Sequence, residues 1–259
     1  MLGSPIAHSL SPVMHRRAYA ELGLDWAYDA VDVGEADLPG FLDQLDESWR
    51  GLSLTMPLKR VAVDLVDEVS QRVRAVAALN TIVFDGDRRI GDNTDIPGAT
   101  AALAERGVRE VRRVMVVGAG ATAASCLAAL RTEGLESAIL VVRDPARAAG
   151  LAEVARGWGI DVMVAGLDEV PAPADLLIST VPSAAVAPYA GRWCERVRAV
   201  FDVIYDPWPT PLAAAAASAG LPVVSGLDLL AHQAALQVAL MTGSTVDAAV
   251  LRTAALRSR

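Results

Sequence analysis

Val114-Met115-Val116-Val117-Gly118-Ala119-Gly120-Ala121-Thr122-Ala123 is the stretch on which the fold turns. Four consecutive apolar residues without an alternating polar face read as a strand covered on both sides, as in a parallel sheet. Gly-x-Gly-x-x-Ala follows at once. The first glycine permits a tight turn, the second lets the backbone approach a pyrophosphate, and a small residue at Ala123 lets helix and strand pack closely. Ala121 to Arg131 then reads as a helix and Ala138-Ile139-Leu140-Val141-Val142 as the next strand, completing a βαβ unit. Helix N-terminal amides at this turn are suited to phosphate. Gly118, Ala119, Gly120, Ala121 and Thr122 are therefore candidate dinucleotide contacts, set against a small-residue turn with no ligand. Short strands at Asp161 to Ala165, Asp175 to Thr180, Ala199 to Ile204 and Pro222 to Ser225 extend the pattern into a doubly wound α/β sheet. At the end of the second strand, Arg143 and Asp144 fall where an adenosine ribose would lie. A guanidinium there suits a 2′-phosphate and a carboxylate suits the free 2′-hydroxyl of NAD, so the two signals conflict.

Upstream, from Pro5 to about Asp95, helical stretches alternate with short apolar runs. Asn80-Thr81-Ile82-Val83-Phe84 followed by Asp85-Gly86-Asp87 reads as a β-hairpin, because Asp-Gly supports the positive φ of a tight turn. An Ala-rich helix ending at Gly107 is expected to connect two domains. After Gly226 come two helical patterns, Asp228 to Met241 and Thr245 to Leu256, in the first of which His232, Gln233 and Gln237 interrupt the apolar face. The uncharged segment Pro207 to Leu227 is long enough to span a bilayer, but four prolines and a run of five alanines point to a loop and a short packed helix instead.

The 259 residues, 53% hydrophobic and 21% charged, can bury one large core or two modest ones, which excludes a disordered chain. A net charge of −8 repels phosphate backbones, so nucleic acid is not an expected partner. Two cysteines without CxxC spacing and three histidines do not suggest a metal site or a disulfide. Met1 to Pro5 lacks the basic and apolar regions of a secretion signal, so a cytoplasmic location is expected.

Three polar clusters remain. Ser9 and Ser11 precede a helix expected near Val13, where their hydroxyls either cap that helix or grip a carboxylate beside its positive end. Lys59 follows a short strand in Leu54-Thr55-Met56-Pro57-Leu58-Lys59, and Asp92-Asn93-Thr94-Asp95 stands before another helix. Taken singly, such residues are most often caps or solvated charges. Taken together they resemble the shikimate dehydrogenase family. Its opening pattern G-x-P-I-x-H-S-x-S-P is matched from Gly3 to Pro12, its T-x-P-x-K at Thr55 to Lys59, its N-T at Asn80-Thr81 and its N-T-D at Asn93-Thr94-Asp95. Ser179-Thr180-Val181-Pro182, Asp202 through Tyr205 with Pro207, Thr210-Pro211-Leu212, and Gly226 with Gln233 resemble its later motifs in order. Ser53, Arg16, Ala121 and Leu229 stand where asparagine, asparagine, glycine and methionine are common in the family. Met1-Leu2 precede the first motif directly, so either a shortened first strand or further residues upstream are expected.

The resemblance implies a Rossmann-like NAD(P)-binding domain over residues 97–225. It also implies a smaller α/β substrate-binding domain over 1–96, completed by helices in 226–259. It implies Lys59 and Asp95 as the catalytic pair, with Ser9 and Ser11 on the substrate carboxylate. Thr55, Asn80, Asp95, Tyr205 and Gln233 would contact the ring and its hydroxyls, and Thr180 and Gly226 would join the cofactor site. The implied activity is reversible NADPH-dependent reduction of 3-dehydroshikimate to shikimate within aromatic amino-acid (chorismate) biosynthesis, by a monomer or homodimer. NADP is favoured over NAD because a guanidinium at Arg143 can engage phosphate bidentately while Asp144, before Pro145, can cap the next turn. The alternatives are a quinate/shikimate or aminoshikimate dehydrogenase, and a nucleotide-sensing module without turnover.

Overall fold

The computed structural model describes residues 1–169 and 172–258, and the chain divides into two compact units, Met1–Gly98 with Leu230–Arg259, and Ala99–Leu229. In the first unit the elements run β1 (Leu2–Gly3), α1 (Ser11–Glu21), β2 (Val31–Asp32), α2 (Leu38–Leu42), β3 (Gly51–Ser53), β4 (Glu68–Val69), α3 (Gln71–Val76), β5 (Thr81–Asp85), β6 (Arg88–Asp92) and the start of α4 (Asp95–Glu105). Strands order β3-β5-β6-β4, with β5 and β6 an antiparallel hairpin and β4 parallel to β6. Gly86 sits in the hairpin turn at φ +59°, where a Cβ would be strained. β1 pairs in parallel with β2, and Leu2 also bridges to Leu54 beyond β3. Leu2, Leu38, Leu52, Leu54, Leu58, Leu79 and Ile82 fill the core, each contributing roughly 1.5–3 kcal/mol by burial.

The second unit continues with β7 (Arg113–Val117), α5 (Ala121–Thr132), β8 (Ser137–Val141), α6 (Ala149–Gly157), β9 (Asp161–Ala165), β10 (Leu176–Ser179), α7 (Ser183–Val186), α8 (Ala190–Cys194), β11 (Ala199–Asp202), α9 (Pro211–Ser218) and β12 (Val223–Ser225). Six parallel strands order β12-β11-β10-β7-β8-β9. From β7 the chain winds outward through β8 and β9, then returns to the other side of β7 and winds outward again. That reversal makes the carboxyl ends of β7 and β10 the topological switch point, where such sheets hold ligands. Val114, Met115, Val116 and Val117 are fully buried, as a strand covered on both faces requires. Trp193, Val200 and Leu177 anchor the packing on one face.

The uncharged segment of residues 207–227 resolves into α9 and β12. Thr210 caps α9 by accepting from Ala213 N, and Pro211 occupies its first turn. α10 (Gly226–Thr242) and α11 (Ala248–Arg257) end the chain, with α11 packed on α1. Among the described residues no helix is long and apolar enough to cross a membrane.

Candidate active site

In the first unit the sequence motifs are brought together by backbone hydrogen bonds between loops. Thr55 N donates to Leu2 O at 2.9 Å and Ser4 N to Met56 O at 3.0 Å, joining the Gly3–Pro12 segment to the Thr55–Lys59 turn. Gly3 makes this approach feasible, since a Cβ there would lie 2.4 Å from Thr55 Cγ2. Leu54 N donates to Asn80 O at 2.8 Å, Leu79 N to Lys59 O at 2.8 Å and Asn80 N to Asp92 O at 3.1 Å. Four motifs separated in sequence thus abut.

The side chains converge on Asp95, the first residue of α4. Lys59 Nζ donates to Asp95 Oδ2 at 2.6 Å, with side-chain exposures of 14% and 7%. Asn80 Nδ2 donates to Asp95 Oδ1 at 2.8 Å and lies 2.9 Å from Thr94 Oγ1 and 3.2 Å from Gln233 Oε1. Gln233 reaches this cluster because α10 passes very close to α4: a Cβ on Gly98 would fall 3.0 Å from Gln233 N. A lysine hydrogen-bonded to a carboxylate that a second, amide donor also holds can keep and move a proton at an alcohol or carbonyl oxygen. Asp92 belongs to a different set: Arg72 binds it bidentately and Ser70 Oγ donates to it at 2.7 Å. Burial works to raise the Asp92 carboxyl, but these donors hold it below the usual carboxylate range.

α1 begins at Ser11, two residues before the expected start, with Pro12 in its first turn and no side-chain cap. Ser9 Oγ accepts from Ser11 N at 3.3 Å. Ser11 Oγ is buried with no hydrogen-bond partner among the described residues, at the positive end of an 11-residue helix. Behind it, His15 Nδ1 lies 3.0 Å from Ser11 O and its ring stacks on Tyr28 at 4.0 Å between centroids. Burial lowers the His15 pKa to about 4.

In the second unit a cavity of about 810 Å³ opens at the switch point, lined by Gly118, Ala119, Gly120, Arg143, Asp144 and Thr180 among others. Gly118 has φ +108°, and a Cβ there would lie 2.4 Å from Thr180 Oγ1, itself donating to Val117 O at 3.0 Å. Gly120 precedes α5, and a Cβ there would meet nothing within 4 Å. These two glycines leave the backbone bare where a pyrophosphate would lie, and small Ala123 is fully buried behind them. Asp144 Oδ1 accepts from Ala146 N at 3.0 Å and so caps the turn that Pro145 opens, while the exposed Arg143 makes no ion pair among the described residues. Arg147 lines the same cavity. Sequence reading missed it, because Arg143 lies between the strand and the turn while Arg147 lies within the turn that Asp144 caps, so no periodic spacing links the two.

Gly226 opens α10 against backbone: a Cβ would lie 2.0 Å from Val203 O. Tyr205 is half-buried just beyond β11, in the second unit, whereas Lys59, Asp95, Asn80, Thr55 and Gln233 all lie in the first. Asp202 anchors the segment holding Tyr205, accepting from Thr210 Oγ1 at 2.6 Å and Ile204 N at 3.2 Å. Burial raises the Asp202 carboxyl.

Residues 1–82 match the model of the shikimate dehydrogenase substrate binding domain, and residues 226–256 that of the shikimate 5′-dehydrogenase C-terminal domain. The shikimate dehydrogenase (NADP(+)) of Thermus thermophilus is 37% identical over 100% of this chain and 97% of its own. Among solved structures, Mycobacterium tuberculosis shikimate dehydrogenase superposes with a TM-score of 0.90 at 37% identity, covering 99% of this chain and 97% of that one. A Thermus thermophilus shikimate 5-dehydrogenase in complex with NADP(H) and shikimate gives 0.86 at 34% identity, covering 100% and 98%. With the motifs met in order and similarity running the length of both chains, this chain belongs to the shikimate dehydrogenase family.

Proposed function

We propose that this protein reversibly reduces 3-dehydroshikimate to shikimate with NADPH, in aromatic amino-acid (chorismate) biosynthesis. The observation that carries the reading is the Lys59–Asp95 contact of 2.6 Å, with Asn80 Nδ2 donating to the other oxygen of the same carboxylate and to Gln233 Oε1 beside it. Residues 1–96 and 226–259 take the substrate and residues 97–225 the dinucleotide. The orphaned Ser11 hydroxyl and the neighbouring Ser9 hydroxyl bind the substrate carboxylate beside the positive end of α1. Thr55, Asn80, Tyr205 and Gln233 hold the ring hydroxyls. In the reducing direction Lys59 Nζ gives a proton to the carbonyl oxygen as it becomes an alkoxide. In the oxidising direction the Lys59–Asp95 pair takes that proton from the alcohol.

The donors at the switch point fit a phosphorylated dinucleotide: two bare glycines, α5 amides, and the guanidinium groups of Arg143 and Arg147 at one cavity. When bound, the nicotinamide supplies or accepts the hydride. Asp144 is engaged with Ala146 N, which leaves the guanidinium groups to meet a 2′-phosphate and supports NADP over NAD. Thr180 keeps Gly118 in place, and Gly226 brings the first turn of α10 against Val203. The reading extends to a cytoplasmic monomer or homodimer with small-molecule partners only, in keeping with a net charge of −8. The test is the absorbance of reduced nicotinamide with shikimate, quinate or aminoshikimate and each cofactor. Shikimate with NADP should give the highest kcat/KM; a higher value on another pairing overturns the assignment.

A further inference from the structure

Behind the Lys59–Asp95 pair lies a buried hydrogen-bonded path whose direction is fixed by two backbone groups. Gln237, 1% exposed on α10, donates through Nε2 to Asn80 O at 3.0 Å and to Thr81 Oγ1 at 2.9 Å. A carbonyl oxygen only accepts, so the amide nitrogen must face β5 and Oε1 must face away. Oε1 therefore accepts from Ser53 Oγ at 2.9 Å, which leaves Ser53 to accept from Tyr28 OH at 2.6 Å. Thr81 Oγ1, occupied as an acceptor by Gln237, turns its hydrogen to Asn80 Oδ1 at 2.8 Å. Thr94 N, which only donates, also points at Asn80 Oδ1, at 2.9 Å. Asn80 is thereby held with Nδ2 toward Asp95 Oδ1. Reversing either amide would set oxygen against oxygen inside a dry site, where an unpaired polar atom is expensive.

We infer that Gln237 is a positioning residue for the reaction: it touches neither Lys59 nor Asp95, but it orients the Thr81 hydroxyl and, through Asn80, the hydrogen-bond donor that aligns Asp95. This rests on the role assigned above to Lys59 and Asp95. Gln237→Met keeps the length and removes the polarity; Gln237→Glu inverts it, because a carboxylate draws the Thr81 hydrogen away from Asn80 and faces the Asn80 carbonyl with another acceptor. Both variants should lower kcat, the Glu variant by roughly tenfold or more at neutral pH. KM for shikimate, and its affinity in calorimetry without cofactor, should change by less than kcat does, because Asn80 also meets the ring hydroxyls and only its alignment of Asp95 acts on the chemical step alone. As pH falls, the protonated Glu regains a donor and the kcat ratio of wild type to Gln237→Glu should shrink. Tyr28, Lys59 and Asp95 lie along the path and Asp92 faces Asn80 from β6 in every one of these proteins, so Gln237→Met, which introduces no carboxylate, should keep a pH-independent ratio to wild type and serves as the reference. Wild-type kcat in both variants, or an equal and pH-independent loss in both, overturns the inference. If Gln237→Glu does not fold, the split between kcat and KM in Gln237→Met decides alone. A wild type that does not turn over shikimate defeats the parent assignment, and the inference with it.

Discussion

Removing the Lys59 ammonium by Lys59→Ala separates chemistry from binding and from folding. A group that moves a proton in the transition state contributes ~10²–10⁴-fold, or about 2.7–5.5 kcal/mol of barrier. The same substitution strips Asp95 of its cation. Breaking a fully buried pair costs about 3–5 kcal/mol, but Lys59 keeps 14% of its side chain exposed and Asn80 still donates to Asp95 at 2.8 Å, so about 1–3 kcal/mol of stability is expected to go. Against a stability of roughly 5–15 kcal/mol, most molecules stay folded, and the rate loss reports the chemical step. Steady-state kinetics in both directions, with a thermal melt and shikimate calorimetry on the same sample, should show kcat down by two to four orders of magnitude and KM nearly unchanged. Near-wild-type kcat in folded protein, or a loss confined to KM, would refute Lys59 as the proton-transfer group.

Ser9→Ala should do the opposite, raising KM for shikimate roughly tenfold or more with kcat little changed, since a hydrogen bond to a charged group is worth about 1.5–3 kcal/mol in ground and transition states alike. Arg143→Ala should raise KM for NADP and leave NAD almost unaffected, and Asp144→Thr, which retains a capping hydroxyl, should sharpen the NADP preference; a wild type with higher kcat/KM for NAD would overturn both. Gly226→Ala should lower the melting temperature through a clash costing about 1–3 kcal/mol, because its Cβ lands 2.0 Å from Val203 O, whereas Gly150→Ala in α6, with nothing within 4 Å, should not. His15 should make stability pH-dependent. The unfolded chain binds a proton below 6.5 and the folded one only below about 4, so stability should fall by up to about 3 kcal/mol as pH drops across that window, and His15→Phe should flatten the slope.

Local pattern alone sufficed for the βαβ unit at Val114 to Val142, because strand periodicity, two glycines and a helix period lie within one continuous stretch. The β5–β6 hairpin was legible for the same reason. The start of α1 was misplaced by two residues, since Ser11 enters the helix without a side-chain cap and so lacks the usual sequence mark of a helix start. The candidate catalytic residues were visible as types in motifs, yet nothing local to Lys59 or Asp95 sets them 2.6 Å apart; that distance follows from Leu79 N donating to Lys59 O and Asn80 N to Asp92 O. Gln237 showed in sequence only as a polar break in an apolar helix face, on the same side as Gln233 one turn earlier. Its partners Ser53 and Asn80 lie 184 and 157 residues away. Which donor faces which acceptor across such separations has no periodic trace in the chain. Only the packing of α10 over β3 and β5, with Gly98 admitting the close approach, decides it.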